Sequence, residues 1–467
     1  MSAPSAMITD RYTRMISGVL FPLHERLKGH ASVPVRKALE QSQWWSQQRL
    51  ASMQLERLKA LLYHAAEHVP YYRALFGRLQ FNPAEVRNLG DLQKLPLLDK
   101  ADIRSNVNAL KSDRAVGLAK FNTGGSTGEP LIFYAGKNRV THDVAAKWRA
   151  TRWWGVDIGD PEIVVWGSPI ELGAQDRVRR IRDLILRTHL LPAFDLSEQN
   201  VNAFLATIRA KRPRMLFGYP SALAHIARQA LAREMRMDAL GIRVTFVTSE
   251  QLYEDQREII ERVFGCAVAN GYGGRDAGFV AHACPDRGMH INAEDIIVET
   301  VRADGRHSGT NEPGEIVITH LATSDYPFIR YRTGDIGVLG SKTCSCGRGL
   351  PILKEIRGRS TDFVVAADGT VMHGLALIYV IRGLGGITAF KIVQESRALT
   401  RVQIVPGPDF DPTARQAIVD GFRARLGRTT EVRIEEVAAI PPERSGKYRY
   451  VVSKVTDHTP GHGGQHA

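Results

Sequence analysis

Apolar residues recur at helical spacing early in the chain, as at Leu55, Leu58, Leu61 and Leu62, and the pattern stops at Val69-Pro70. Residues 1–115 therefore read as a helical lead-in that forms part of a large domain. From about 117 to 340 the period changes. Short β-rich runs at Ile163 to Trp166, Met215 to Gly218 and Val244 to Val247 alternate with helical patterns over Val201 to Ala210, Ala222 to Arg236 and Glu254 to Phe264. Such alternation predicts helix-covered, parallel β-sheet, with 116–360 as the core of a large α/β domain. Ile296 to Val301 and Gly314 to Thr319, separated by a polar Gly/Asn/Pro stretch, predict a hairpin. Residues 361–457 predict a small α+β domain, with strands at Phe390 to Gln394 and Arg401 to Val405 and a helix over Pro412 to Leu426. Residues 458–467 are Gly- and His-rich and are expected to be a disordered tail.

At 467 residues and 43% hydrophobic content the chain exceeds what one core holds, since single cores stop growing near roughly 300 residues. No apolar run approaches the roughly 20 residues that span a bilayer, and no secretory-signal pattern opens the chain, so a soluble cytoplasmic protein is expected. The net charge of +13 and pI near 9.6 favour anionic partners, nucleic acid among them. The densest basic run, Arg177, Arg179, Arg180, Arg182 and Arg187, is interleaved with Val178, Ile181, Leu184 and Ile185 at helical spacing. That is an amphipathic helix with a basic solvated face. No zinc-finger or RNA-binding aromatic signature adjoins it, and nucleic acid is not expected as a partner. The run Ile16 to Leu23 is expected to pack as an N-terminal helix, with a membrane surface as the alternative.

The candidate chemistry begins at Thr123, Gly124, Gly125, Ser126, Thr127 and Gly128. Glycines permit close backbone approach, so successive N–H groups can converge on phosphate oxygens while Thr123, Ser126 and Thr127 add hydroxyl donors. No Lys-Ser/Thr pair follows, which excludes a P-loop NTPase; taken alone the stretch is equally a Gly/Ser surface turn. Three further segments follow it: Gly271-Tyr272-Gly273-Gly274-Arg275-Asp276, Tyr331-Arg332-Thr333-Gly334-Asp335 and Ser445-Gly446-Lys447-Tyr448-Arg449.

In this order the four segments resemble the motifs of the adenylate-forming enzymes, and the YRTGD match is the most specific. Leu58 to Arg73 and Leu95 to Ile103 further resemble the phenylacetate-CoA ligase branch, including its capsular-polysaccharide relatives. The resemblance spans about residues 50 to 455. It implies the adenylate-forming fold, a large N-terminal domain and a small mobile C-terminal one, and an ATP-dependent, AMP-forming ligase. By that resemblance the glycine loop binds the ATP phosphates, Thr127 and Asp276 serve Mg2+, Tyr272 lies along the adenine between Gly271 and Gly273, and Asp335 holds the ribose hydroxyls. Arg359 reaches the nucleotide at a hinge between Arg359 and Asp362, Glu250 contacts the nucleotide from a core-strand end, and Lys447 is the catalytic lysine of the mobile domain. Relatives usually carry Glu where this chain has Asp276, one methylene shorter. Phe133, Tyr134, Trp166, Phe217 and Tyr219 are candidates for the acyl pocket or for ordinary core.

Of only four cysteines, three fall near these motifs: Cys284, followed by His290, and the pair Cys344 and Cys346. A cytoplasmic protein has little use for disulfides, so Cys284, His290, Cys344 and Cys346 form a candidate zinc set, with His282 as substitute and packed free thiols as the alternative. Similar positions occur in the phenylacetate-CoA ligase branch, some members of which carry structural zinc. Cys266 is expected to be simply buried.

The expected function is activation of an aromatic or other hydrophobic carboxylic acid and its transfer to CoA, with ATP, Mg2+ and CoA as cofactors. One alternative keeps adenylation and replaces CoA by another acceptor in surface-polysaccharide or cofactor synthesis. Another is a noncatalytic scaffold that retains the fold.

Overall fold

The computed structural model describes residues 10–123, 131–166, 177–193, 196, 198–302, 304–341, 343–359, 363–441 and 449–455. Gly124 to Gly128, the expected hinge after Arg359, Lys447 and the tail lie outside those residues.

A hairpin of β1 (Ala119–Asn122) and β2 (Ile132–Ala135) brackets the glycine loop, with Asn122 opposite Ile132. The central sheet contains β3 (Glu162–Trp166), β4 (Thr188–Pro192), β5 (Met215–Gly218), β6 (Val244–Thr248), β7 (Ala267–Gly274), β8 (Gly278–Ala283) and β9 (Met289–Ile291). Their order is β4-β3-β5-β6-β7-β8-β9. The first five run parallel; β8 is antiparallel to β7, and β9 is antiparallel to β8. Helices Glu198–Lys211, Pro220–Ala232 and Glu254–Phe264 make the crossovers. β6 is buried along nearly its whole length, as a strand in a sheet covered on both faces must be.

A second sheet orders β10 (Ile296–Val301), β11 (Pro313–His320), β12 (Tyr331–Leu339) and β13 (Leu353–Arg359), all antiparallel. The N-terminal helices Gln47–His68 and Pro70–Leu79 close over it, burying Leu58, Leu61 and Leu62 in one core with Ile316, Ile318 and Tyr331. At Val69-Pro70 the chain turns a corner and stays helical, because Pro70 opens the next helix where no N–H partner is needed.

The C-terminal region has its own core around Ile392, Ile404, Ile418 and Phe422. It holds the hairpin β14 (Phe363–Val365) and β15 (Val371–His373), the helices Leu375–Arg382 and Thr413–Leu426, and a sheet of β16 (Ile387–Ser396), β17 (Leu399–Pro406), β18 (Glu431–Glu436) and β19 (Val451–Ser453). That sheet is ordered β18-β17-β16-β19.

Three expectations need correction. The helix expected over Ala222 to Arg236 ends at Ala232, and two residues on Glu234 takes a left-handed φ of 51°. The apolar run Ile16 to Leu23 is split, with Ile16 and Phe21 buried but Val19, Leu20 and Leu23 exposed. In helix Arg177–Ile185 the apolar Ile181, Leu184 and Ile185 are themselves exposed.

Candidate active site

β6 ends at Thr248, opposite Gly271, while β7 runs on to Gly274, so the motif residues gather at the carboxyl end of the sheet, where parallel sheets place their ligands. Gly271 and Gly273 are there for packing. A Cβ on Gly271 would lie 2.6 Å from the Phe246 ring, and one on Gly273 would lie 2.2 Å from the Gly278 carbonyl oxygen. Between them Tyr272 extends toward the second sheet and donates its phenol proton to Asp335 Oδ2 at 2.9 Å, with Thr333 Oγ1 at 3.3 Å. Burial, then the Asp335 charge, pushes the Tyr272 phenol well above its ordinary range, so it remains a donor.

Asp335 is placed by a local device in β12. Thr333 Oγ1 accepts the Asp335 N–H at 3.1 Å and donates to the Ile316 carbonyl at 2.8 Å, while Gly334 takes φ 79°. The register shift between Asp335 and Gly337 bends the strand there. Arg359, at the end of β13, lies opposite Asp335 in the ladder.

Asp276 follows β7. Its Oδ1 accepts the Ala277 N–H at 3.0 Å and its Oδ2 accepts the Tyr331 phenol at 2.6 Å. The short carboxylate is thus held from two sides. Arg275 reaches Asn122, at the neck of the glycine loop, with its guanidinium 3.4 Å from both the carbonyl and the side-chain oxygen. Thr123 closes that neck: its N–H bonds the Leu131 carbonyl, and its hydroxyl oxygen accepts the Leu131 N–H, both at 3.0 Å. The hydroxyl proton is left to donate elsewhere.

Glu250 follows Ser249, whose φ of 72° turns the chain, and its Oε2 accepts the Ser221 N–H at 3.2 Å. The carboxylate therefore sits at the positive end of helix Pro220–Ala232. Of the candidate pocket residues, Phe133 is core, packed on Phe328. Tyr134 lies beneath the Lys111 ammonium, 4.0 Å away. Trp166 stacks on Tyr219 at 4.4 Å, with Phe217 alongside.

The C-terminal region meets this end of the sheet through residues that no motif marked. Asp255 accepts from Arg228 at 2.9 Å and from Arg382 at 2.6 Å. The Arg382 guanidinium lies 4.4 Å from the ring centre of Tyr253 and 5.1 Å from that of Tyr450. Tyr450, close in sequence to Lys447, packs edge-on against Tyr253 at 5.7 Å.

Cys284, His290, Cys344 and Cys346 converge, with their ligand atoms all within 4.8 Å of one another. Cys284 and Cys344 sulfurs are 3.6 Å apart, and Cys346 Sγ is 3.2 Å from His290 Nε2. His290 Nδ1 faces the Leu350 carbonyl at 3.3 Å, so that nitrogen carries the proton and Nε2 presents its lone pair. Burial holds the His290 pKa to about 4, keeping the ring neutral, as a metal ligand must be. Three sulfurs and one imidazole nitrogen fit tetrahedral zinc. His282 lies outside the set; it is opposite His290 in the β8–β9 ladder, with its ring 4.4 Å from Trp153. Cys266 is half-buried beside Thr245 Oγ1 at 3.3 Å.

Comparison with known proteins agrees with this architecture. Residues 364–454 match the family described as the CapK C-terminal domain. Protein CapK of Staphylococcus aureus is 22% identical over 417 residues, covering 87% of this chain and 90% of its own. The phenylacetate-coenzyme A ligase of Escherichia coli (strain K12) is 28% identical over 330 residues, covering 68% and 72%. Among solved structures, 2-hydroxyisobutyryl-CoA ligase in its postadenylation state superposes with a TM-score of 0.71 at 19% identity, covering 88% and 90% of the two chains. In its thioesterification state that ligase scores 0.58 over the same coverage. The chain therefore has the adenylate-forming CoA ligase fold and counts CapK and the phenylacetate-CoA ligases among its homologues.

Proposed function

We propose that this chain is an ATP-dependent, AMP-forming ligase that activates an aromatic or other hydrophobic carboxylic acid as an acyl-adenylate and transfers the acyl group to CoA. The observation that carries the reading is the meeting of Tyr272, Asp335, Asp276 and Tyr331, drawn from two sheets, beside the neck of a glycine loop. In this reading the substrate carboxylate attacks the α-phosphorus of ATP and pyrophosphate leaves, a reaction that needs charge neutralised more than protons moved. Asp335 accepts from the ribose hydroxyls, Tyr272 lies along the base, and residues 123–128 hold the phosphates. Asp276 and Thr127 would hold Mg2+, which supplies positive charge to the phosphate oxygens. Lys447 stabilises charge on the α-phosphate and carboxylate, and Arg359, Glu250, Gly271 and Gly273 complete the nucleotide site. The small domain then turns away for thiol attack. Cys284, after β8, His290 in β9, and Cys344 and Cys346 in the loop before β13 would hold a structural Zn2+, which would cross-link those segments.

A second reading replaces CoA by another acceptor in surface-polysaccharide or cofactor synthesis. The match of residues 364–454 to the CapK C-terminal domain favours it, because that domain would serve the acceptor step.

Pyrophosphate release from ATP and Mg2+ across a panel of carboxylic acids, with and without CoA, tests both. Acid-dependent release that Lys447→Ala abolishes is expected, and a further rise with CoA selects the thioester reading. Adenylation indifferent to CoA selects the second, and silence across the panel despite ATP binding overturns both.

A further inference from the structure

The N-terminal helical segment is fixed to the large domain along one side only. It runs through Arg11–Met15, a π-turn at Ile16–Leu20, and Phe21–Leu27. Thr13 Oγ1 donates to buried Asp160 at 2.9 Å, and Phe21 packs edge-on against Trp148 at 5.1 Å. Gly159 leaves room for Ile16, since a Cβ there would lie 2.7 Å from it.

On the other side Met15, Val19, Leu23 and Leu27 recur every fourth residue and form one stripe, with Leu20 beside it. Val19 is 60% exposed and Leu27 81%. Helix Arg177–Ile185 meets, by its C-terminal end, the start of the N-terminal segment, where Tyr12 donates to the Ile185 carbonyl at 2.8 Å and the Arg187 guanidinium covers the Tyr12 ring at 4.0 Å. It adds Ile181, 59% exposed, Leu184, 77% exposed, and Ile185. More than half of the exposed large hydrophobic side chains among the described residues fall on the N-terminal segment and this helix. Scattered exposed leucines are ordinary, but their concentration on these joined helical elements points to a partner.

The border of the patch is basic. Arg11, Arg14, Arg26, Lys28 and Arg180 are exposed. The neighbouring acids are engaged: Asp10 with Arg187, Asp183 with Arg182, and buried Glu25 with Ser32. A cleft of about 410 Å³ opens at the rim, with Arg26, His30 and Lys37 among its lining residues. A second copy of the chain fits poorly, because a two-fold interface would set arginines against arginines. A surface of lipid phosphates over acyl chains matches both the charge and the apolar stripe. No helix among the described residues is long and apolar enough to cross a membrane, so contact of this kind lies in the interface plane.

We propose that this face binds an anionic lipid bilayer peripherally, seating Val19, Leu23, Leu27 and Leu184 at the boundary between headgroups and acyl chains, with the flanking arginines on lipid phosphates. The proposal is independent of the reaction the chain catalyses.

Sedimentation of the full chain with phosphatidylcholine vesicles, with and without phosphatidylglycerol, tests it. Binding to the phosphatidylglycerol vesicles alone is expected, weakened about tenfold or more by about 0.5 M salt, by Leu23→Asp/Leu184→Asp and by Arg14→Glu/Arg180→Glu. Both variants should melt with the wild type and keep its pyrophosphate release, because these side chains are exposed. Absence of binding to either vesicle, or equal and salt-insensitive binding to both, overturns the proposal. So does a dimer in gel filtration that Leu23→Asp/Leu184→Asp splits while the wild type ignores vesicles.

Discussion

The phenol of Tyr331 donates a 2.6 Å hydrogen bond to Oδ2 of Asp276 and so joins the start of β12 to the turn after β7. Tyr331 is fully buried and stacks on Phe328 at 4.9 Å, which fixes the donor's direction. The short Asp276 carboxylate is fixed in position by this bond and by the Ala277 N–H. Tyr331→Phe keeps the packing and removes one hydrogen bond to a charged acceptor, worth about 1.5–3 kcal/mol. Adenylation should fall about 10- to 100-fold with a higher Mg2+ requirement and little change in melting. A Mg2+ titration superimposable on the wild type would show that Tyr331 is merely structural.

The cysteine cluster predicts a measurable metal. Purified protein should carry about one zinc per chain, and Cys344→Ser/Cys346→Ser should lose it. Because the ligands come from β9 and two loops that the ion would tie together, loss should lower the melting midpoint by about 5 °C or more. A strong chelator should have the same effect on the wild type and none on the variant. Absence of zinc after growth with added zinc, together with an unchanged midpoint, would assign the cluster to packed thiols.

His320 supplies a pH dependence of stability. Burial, then the nearby Arg139 charge, lowers its pKa to about 4, and its Nδ1 accepts the Ala322 N–H at 3.3 Å, which fits the neutral ring. In the unfolded chain a histidine titrates near 6.5. Between those values the unfolded state binds the extra proton, so stability is complete above about pH 7 and drains away as pH falls toward 4. The loss from this group should be roughly 2 kcal/mol between pH 7 and pH 5. Denaturant midpoints across that range should shift less in His320→Gln; equal slopes would remove His320 from the account.

Much of this architecture was legible in the chain because local pattern and tertiary environment agree. The runs at Ile163, Met215 and Val244 became β3, β5 and β6, and the stretch at Glu254 became the helix Glu254–Phe264. Val244, Phe246 and Val247 are apolar and Thr245 is β-branched, which suits a strand covered on both sides, and that fact is written into the residues themselves. The cysteine set was readable because thiols are rare and their clustering around one histidine needs explaining. What stayed hidden was pairing at long range. Nothing in the sequence near Asp255 announces Arg382, 127 residues on, and nothing near Tyr331 announces that its hydroxyl belongs to Asp276. The outward-facing stripe at Val19 and Leu23 has the same composition as a buried one, and only the side left uncovered distinguishes the two.

Asp255 is the clasp between the two regions in this arrangement, accepting Arg228 on one oxygen and Arg382 on the other while Arg382 lies between the Tyr253 and Tyr450 rings. Arg382 is mostly buried, and its removal takes away the ion pair with half-exposed Asp255 and the contacts with both rings, so the contact should weaken by about 1–2 kcal/mol. If catalysis alternates between two placements of the small domain, adenylation needs this contact and the following acyl transfer does not. Arg382→Ala should then slow acid-dependent pyrophosphate release about tenfold or more, while acyl transfer from supplied acyl-adenylate keeps its wild-type rate. Equal loss in both half-reactions would instead make Arg382 a general support of the fold, and a lowered melting midpoint would accompany it.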